Sequence, residues 1–505
     1  MSTDLQKTCQ RLYAAAQEAA MVTRIQHLLE WDEHTKMPKA GGAYRADQTA
    51  YLAGLAHKKR TAPEIGEWLD ELAGSDLAAD PKSDTGANLY HLQRDYNKQT
   101  RLPQELVEQL TRACAVGQQV WIEARKADDF GQFEPSLVEI VRLKREEAAA
   151  LGYDSTPYDP LLNEYEPGET TENVARVLSD LRDALVPLVQ AIADSSQRPD
   201  ASIMARSYPT DAQESFGTAA AKQIGFDFEA GRLDVTAHPF CTGLGPGDVR
   251  LTTRYDEHAF SDAFFSILHE AGHGLYDQGL PREHYGLPIG EDVSLGIHES
   301  QSRMWENQVG RSRAFWQHFY DSAQQVFPAA LSDVELDDFY GAINDVRPSL
   351  IRVEADEVTY NLHILIRFEL EQALVEDQLQ VADLPSAWNE KYEHYLGIKP
   401  PNDADGVLQD VHWSAGLFGY FPTYALGNLY AAHFFRQAQA DLGDLEAAFR
   451  QGEFSSLLNW LRENIHRHGR RYTPAELVER TTGSPLGHEA LISQLTQKYG
   501  EIYGL

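Results

Sequence analysis

Helical periodicity runs through most of this 505-residue chain and limits what the chain can fold into. Apolar side chains recur three, four and seven positions apart in the first 30 residues, and residues 171–192 repeat this pattern after a threonine–glutamate capping signal. Further helices are predicted at 105–127, 135–150, 333–345, 355–376 and 424–440. The sequence has no internal repeat and no linker rich in Gly, Ser or Pro, so we predict one large, mainly α-helical body over residues 1–505.

Two short stretches depart from the helical pattern. Residues 232–239 and 249–255 are β-branched and alternating, and the Gly- and Pro-rich sequence TGLGPGD lies between them. We expect a small β-hairpin or pair of strands here, immediately before the helix that contains the most informative motif of the chain.

Charge and cysteine content narrow the range of functions. The 44 Lys and Arg residues against 77 Asp and Glu give a net charge of −33. Such a surface repels phosphate backbones and anionic headgroups, so we expect no nucleic-acid partner and no membrane partner.

The 3 cysteines are too far apart for a disulfide framework or a thiolate zinc site. The N-terminus lacks an apolar signal core, and a cytoplasmic protein is expected.

The sequence HEAGH at 269–273 indicates a metal site. His269 and His273 are four residues apart on an amphipathic helix, so both imidazoles lie on one face and can reach one zinc ion. Glu270 is available as the general base that activates water at the metal. Chance produces this motif in about one chain in twenty of this length, so a third ligand is needed to strengthen the inference.

The segment GIHESQSRMWENQ offers that third ligand in a second helical pattern. Glu299 follows His273 after enough residues for one loop and a returning helix. His298 and Glu306 compete for the role, but His298 points about 100° away from Glu299 on the helix and Glu306 lies two turns further on. We therefore favour Glu299 and expect His298 to support or pack against the ligands. Asp277, which could orient His273 or be a solvated carboxylate, is assigned no role.

Four motifs, in this order and spacing, resemble those of the carboxypeptidase Taq family of zinc carboxypeptidases: HEAGH, HESQSR, IRVEADE at 351–357 and GVLQDVHW at 406–413. The resemblance extends to LLEWDEHTKMP at 28–38, HPF at 238–240 and DVRLTTRY at 248–255, so it spans nearly the whole chain. It implies metal ligands at His269, His273 and Glu299 and a catalytic carboxylate at Glu270, in agreement with the spacing.

The same resemblance implies a mostly helical subunit with a deep groove, usually paired as a homodimer. Such an enzyme releases single amino acids from peptide C-termini with broad specificity, using zinc. Because metal loading follows availability as much as ligand type, we expect that cobalt can replace the zinc. We expect the helices of residues 1–80 to wall or cover the groove, and residues 1–505 to form one catalytic domain.

Substrate binding needs donors besides the metal. Arg347 and Arg352 are the candidates for binding the terminal carboxylate of the peptide. The IRxxAD pattern of the family favours Arg352, which could instead form an internal salt bridge with Glu354 or Asp356. The strand at 249–255 is a candidate for holding the substrate as an added strand, with a purely structural role as the alternative.

Further candidates lie in the HPF segment and after residue 410. His412 and Tyr420 are predicted to stabilise the oxyanion, with Tyr424 in reserve. His238 is a candidate contact to the substrate backbone, the alternative being a capped or core histidine. Trp31 is expected to anchor the core.

The sequence therefore favours a zinc-dependent carboxypeptidase. A zinc oligopeptidase that makes internal cuts or releases dipeptides is the main alternative, and it would accept peptides whose C-terminus is amidated. A non-catalytic helical scaffold with structural zinc is a remote alternative, because structural zinc sites usually have four protein ligands.

Overall fold

A computed structural model describes residues 3–505 and confirms a mainly α-helical fold with a small β-sheet. The elements, in chain order, are α1 (Thr3–Thr35), α2 (Gly42–Arg60), α3 (Pro63–Ala73), α4 (Asp84–Arg101), α5 (Gln104–Ala127), α6 (Phe130–Leu151), α7 (Asp159–Tyr165), α8 (Thr171–Asp194), α9 (Thr210–Gln223), β1 (Gly231–Val235), β2 (Cys241–Gly245), β3 (Asp248–Thr253), α10 (Phe260–Gly279), α11 (Leu295–Arg303), α12 (Arg313–Val326), α13 (Pro328–Leu331), α14 (Leu336–Ile343), α15 (Tyr360–Val375), α16 (Leu384–Leu396), α17 (Pro422–Leu442), α18 (Leu445–Arg450), α19 (Ser455–Asn464), α20 (Pro474–Thr482) and α21 (Glu489–Tyr503). A π-helix at Met304–Gly310 continues α11. Among these residues, no helix is both long and apolar enough to cross a bilayer.

The predicted helix boundaries hold closely where a local cap sets them. The side chain of Thr170 accepts a hydrogen bond from the backbone N–H of Asn173, and α8 begins at the next residue. The helix predicted from residue 355 begins later, at Tyr360, because Asp356 accepts hydrogen bonds from the backbone N–H groups of Val358 and Thr359 and so fixes a turn.

The chain divides into two compact units. The first comprises Met1–Thr100, Asp200–Ile343 and Phe434–Gly483, and the second comprises Arg101–Pro199, Asn344–His433 and Ser484–Leu505. Because each unit is assembled from three separate stretches of chain, no single linker marks the division in the sequence. That residues 1–505 form one catalytic domain stays a prediction.

The sheet has three strands, in the order β1–β3–β2. β3 pairs in parallel with β1 and antiparallel with β2. The sequence predicted two strands and a turn, but the Gly-rich stretch between them contains β2 itself. The turn is confined to Pro246 and Gly247, and Gly247 has a positive φ. The expectation that the strand before the metal helix adds the substrate as an extra strand is wrong, because β3 is central and both of its edges are occupied.

An aromatic layer supports one side of α10. The ring of Phe264 lies 5.3 Å from that of Phe260, 5.4 Å from that of Phe216 on α9 and 5.2 Å from that of Trp316 on α12. All of these side chains are buried. This packing, stacked for Phe260 and tilted for Phe216 and Trp316, fixes the helix that carries HEAGH.

A glycine on α10 lets α11 approach closely. A Cβ atom at Gly272 would lie 2.6 Å from the carbonyl oxygen of Gln301 and 2.6 Å from the Cα of Ser302. Both of those atoms are backbone and cannot rotate away. Gly272, the residue just before His273 in the motif, therefore sets the distance between the two helices.

We predict that Gly272→Ala forces α10 and α11 apart and lowers the free energy of unfolding by about 1–3 kcal/mol, the usual cost of overpacking. Thermal unfolding of the purified protein measures this. Gly54→Ala on α2 is the matched control, because a Cβ there meets nothing within 4 Å, and it should leave stability unchanged or raise it slightly. Equal stability of the two variants would contradict the close approach.

Candidate metal centre and substrate-binding residues

His269, His273 and Glu299 come together where α10 meets α11. Their ligand atoms all lie within 4.8 Å of one another. The Nε2 atoms of His269 and His273 lie 3.6 and 3.4 Å from Oε2 of Glu299. Ligands bound to one tetrahedral zinc at about 2.0–2.1 Å are separated by roughly 3.3 Å, so the three side chains fit a single metal ion.

Glu306 and Arg303 hold this group in place. The Nδ1–H of His269 donates to Oε2 of Glu306 at 2.9 Å, which leaves Nε2 with its lone pair toward Glu299. Arg303 lies between the two carboxylates, donating from Nε to Oε1 of Glu299 at 2.7 Å and from Nη1 to Oε2 of Glu306 at 3.3 Å. Glu306, a competing ligand in the sequence, thus contacts a ligand histidine instead.

The surrounding charges keep both glutamates ionised. Burial alone would raise the pKa of Glu306, but Arg303 and His269 lower it to about 2. Burial likewise opposes ionisation of Glu299, and Arg303 and His269 still hold its pKa well below the usual value. Ionised carboxylate oxygens beside two imidazoles form a donor set suited to a divalent cation.

His298 packs against His273. Its ring stacks on that of His273, with centroids 4.4 Å apart, and its Nε2–H donates to Oδ1 of Asp277 at 3.0 Å. Burial would lower the pKa of His298, but the hydrogen bond to Asp277 and the nearby acids raise it to about 9. Asp277 therefore orients His298 and not His273.

Glu270 is buried beside the ligands on α10. Burial raises its pKa to about 7, with His269 lowering the pKa and Glu299 raising it. A carboxyl group with a pKa near neutrality can both take and return a proton, as general acid–base catalysis requires.

In the second unit, Asp410 lies between two buried arginines. Arg352 donates from Nε and Nη2 to Oδ1 of Asp410 at 3.0 and 2.8 Å, and Arg367 donates from Nε to Oδ2 at 2.6 Å. The internal partner of Arg352 is thus Asp410 and not Glu354 or Asp356. Although burial opposes it, Arg352 and Arg367 hold the pKa of Asp410 below its usual value.

The predicted oxyanion residues lie together in the same unit. Nε2 of His412 is 3.3 Å from the hydroxyl of Tyr424, and the His412 ring lies 5.5 Å from that of Tyr420. Burial lowers the pKa of His412 to about 4, so its imidazole is neutral at pH 7. Within residues 3–505, Nδ1 of His412 is buried without a hydrogen-bond partner.

Two remaining candidates lie in the first unit. His238 is exposed in the segment between β1 and β2, so the alternative of a core histidine is wrong. Trp31 is buried between the guanidinium groups of Arg232 and Arg250, which lie 5.3 and 4.2 Å from its ring, and it anchors α1 on the sheet as expected.

Comparison with known proteins assigns the family. Residues 11–499 match the sequence model of a family described as carboxypeptidase Taq (M32) metallopeptidase. This chain belongs to the carboxypeptidase Taq (M32) family. The resemblance seen in the motifs is therefore confirmed, and the protein is a metallocarboxypeptidase that requires a divalent metal. In the described part of the chain, His269, His273 and Glu299 form a group of side chains that could hold such a metal ion.

Named relatives of this M32 enzyme match over almost their full length. Thermostable carboxypeptidase 1 of Thermus thermophilus is 48% identical over 98% of this chain and 99% of its own. Carboxypeptidase 1 of Bacillus subtilis is 39% identical over 96% of this chain and 97% of its own. The crystal structure of an M32 carboxypeptidase from Deinococcus radiodurans R1 superposes with a TM-score of 0.96 at 42% identity. The superposition covers 99% of this chain and 100% of the other. These matches favour a carboxypeptidase over the oligopeptidase alternative.

Glu371 of this M32 chain was not singled out in the sequence. It is fully buried and accepts hydrogen bonds from the hydroxyl of Tyr158 at 2.6 Å, Nε1 of Trp413 at 2.8 Å and the backbone N–H of Gly419 at 3.1 Å. It therefore fixes the segment that contains His412 and Tyr420. No local signal identifies it, because its partners are distant in sequence.

Glu306→Gln should weaken metal binding by about 10–100-fold, the usual effect of removing the partner of a ligand histidine. Competition with a chromophoric chelator measures the affinity directly. Glu446→Gln, at a largely exposed glutamate in the same unit, is the control and should bind metal as the wild type does. Unchanged affinity in Glu306→Gln would show that the contact with His269 does not orient the ligand.

Glu371 should also make stability depend on pH. Burial raises its pKa to about 7, so its contribution to stability is fully present below the ordinary value of 4.5 and is lost as the pH rises through 7, by up to about 1.4 kcal/mol per pH unit. Glu371→Gln removes this loss, so its urea midpoint should fall less than that of the wild type between pH 5 and pH 8. Glu390→Gln, at an exposed site on α16, should behave as the wild type does. Parallel pH dependence in Glu371→Gln would contradict the prediction.

Proposed function

We propose that this M32 carboxypeptidase binds zinc, replaceable by cobalt, through His269, His273 and Glu299. Two imidazoles and one carboxylate are a known catalytic zinc set that leaves a fourth position open. The separations of 3.4 and 3.6 Å between the imidazole nitrogens and Glu299 are the observation that supports this proposal most directly. Zinc in this position supplies a Lewis acid for the scissile carbonyl and lowers the pKa of water.

Glu270 acts as the general base in this proposal. Its carboxylate takes a proton from the attacking water molecule and returns it to the amine of the released amino acid. Its burial and its pKa of about 7 support both steps. It does not need to bind the metal for either.

Arg352 binds the terminal carboxylate of the peptide in this proposal. Asp410 and the hydroxyl of Tyr360 fix its guanidinium group, which is nearly inaccessible to solvent. An arginine with a fixed orientation can bind a carboxylate at low entropic cost. His412 and Tyr420, with Tyr424 close by, supply donors for the developing oxyanion, and His238 contacts the substrate backbone.

We further propose that residues 1–505 act as one catalytic domain in a cytoplasmic homodimer, with helices from 1–80 beside the groove. The match of the family sequence model to residues 11–499 takes in stretches of both units and supports one catalytic domain. The homodimer and the groove rest on the family resemblance, and the cytoplasmic location on the sparse, separated cysteines.

A carboxypeptidase that recognises a free carboxylate should shorten an unstructured peptide with a free C-terminus one residue at a time. It should leave the same peptide with an amidated C-terminus intact. Mass spectrometry over a time course shows the ladder. Arg352→Lys should lower kcat/KM by about 10–100-fold, because lysine lacks the bidentate fork. Arg347→Lys is the control, at an exposed arginine. Internal cuts in both peptides would support the oligopeptidase instead.

Glu270→Gln should lower kcat by about 10²–10⁴-fold while binding the same amount of zinc. Metal analysis of the purified variant, alongside steady-state kinetics, separates loss of the base from loss of the metal. Normal turnover in a fully loaded Glu270→Gln protein would contradict the proposed role.

A further inference from the structure

A cavity of about 260 Å³ lies within the first unit, and none of the proposed metal-binding or catalytic residues lines it. Its walls come from α1, the end of α2, α3, α4, the segment 286–291 and Arg470. Pockets for drug-sized ligands span roughly 300–1,000 Å³, so this volume suits a smaller molecule.

One wall of the cavity is apolar. Four alanines of α1 line it, Ala15, Ala16, Ala19 and Ala20, together with Ile65 and Leu92. Because alanine side chains are short, they leave open space beside the helix that a ligand side chain can occupy. This surface offers an aliphatic group burial without any polar group to desolvate.

The other end of the cavity is polar and incompletely hydrogen bonded. Nη1 of Arg470 lies 3.5 Å from Oδ2 of Asp95 and 3.9 Å from Oε2 of Glu291, too far for strong direct hydrogen bonds. In the described part of the chain, Oε1 of Gln99 is buried without a hydrogen-bond partner. A residue with a charged donor group, Arg470, and one with an unsatisfied acceptor, Gln99, thus both line the cavity.

Close backbone packing holds the polar end rigid. Gly469, with φ of 48°, lies so near Ile289 that a Cβ would fall 1.9 Å from its carbonyl oxygen. At Gly286, a Cβ would meet the Cα of Gln17 on α1 at 3.2 Å. The segment 286–291 is therefore fixed both to α1 and to the residue before Arg470, and the cavity is preformed.

We propose that this cavity binds one free amino acid with an aliphatic side chain. Its carboxylate pairs with Arg470, its ammonium group with Asp95, Glu291 and Oε1 of Gln99, and its side chain lies on the alanine wall. A simple amine offers no acceptor to Arg470, and a simple carboxylate offers no donor to Oε1 of Gln99. Free amino acids are also the molecules that a carboxypeptidase releases.

Isothermal titration of the full-length, metal-loaded protein with L-leucine tests the proposal, with L-leucinamide and isocaproate as probes that lack the carboxylate or the ammonium group. Leucine should bind with a Kd of order 1 mM, and each analogue should bind at least about tenfold more weakly. Heat from leucinamide equal to that from leucine would overturn the role of Arg470.

Two variants separate this cavity from the active site. Arg470→Lys keeps the charge but loses the fork, and Ala16→Leu fills the apolar wall, so each should weaken leucine binding about tenfold or more while peptide turnover is unchanged. Ala14→Leu, at an exposed position of α1, is the control and should bind normally. Equal leucine affinity in all three variants would overturn the proposal. So would the absence of binding to the wild type at a leucine concentration of about ten times the expected Kd. Because binding is measured without turnover, either result stands whether or not the proposed catalytic roles are correct.

Discussion

The approach of α10 to α11 at Gly272 is the contact on which the metal centre depends. Spacing along one helix can pair His269 with His273, but a second helix in near backbone contact brings Oε2 of Glu299 to 3.6 and 3.4 Å from their Nε2 atoms. The aromatic rings packed on α10 and the π-helix after α11 keep the two helices in that arrangement. Short π-helical segments are common beside functional sites, and this π-helix contains Glu306.

In each unit, one buried charged side chain lies between two side chains of the opposite charge. In the first unit Arg303 lies between Glu299 and Glu306, and in the second Asp410 lies between Arg352 and Arg367. A buried charge is costly unless it is paired and hydrogen bonded, so each group limits the orientations open to its neighbours. The pairing restricts rotation of the side chains that are proposed to bind metal and substrate. Fixed orientation, more than net stability, is what such networks contribute.

The sequence predicted the parts of the site that depend on short-range geometry. His269, Glu270 and His273 follow from helical spacing, and Glu299 from the need for a third ligand after one loop. Asp410 and Glu371 gave no comparable signal as partners, because each contacts residues 42 or more positions away. The strand β2 was missed because its glycines indicate a turn, although pairing with β3 overrides that preference.

X-ray absorption at the zinc edge of the loaded, full-length protein tests the central claim most directly, because it reports the metal and its ligands without reference to turnover. The proposed site predicts one zinc per chain, with two imidazole nitrogens at about 2.0–2.1 Å, a carboxylate oxygen and no sulfur. Replacing His273 with alanine should remove one imidazole from the spectrum. A closed site with four protein ligands, or a spectrum unchanged in the alanine variant, would contradict the assignment of His269, His273 and Glu299.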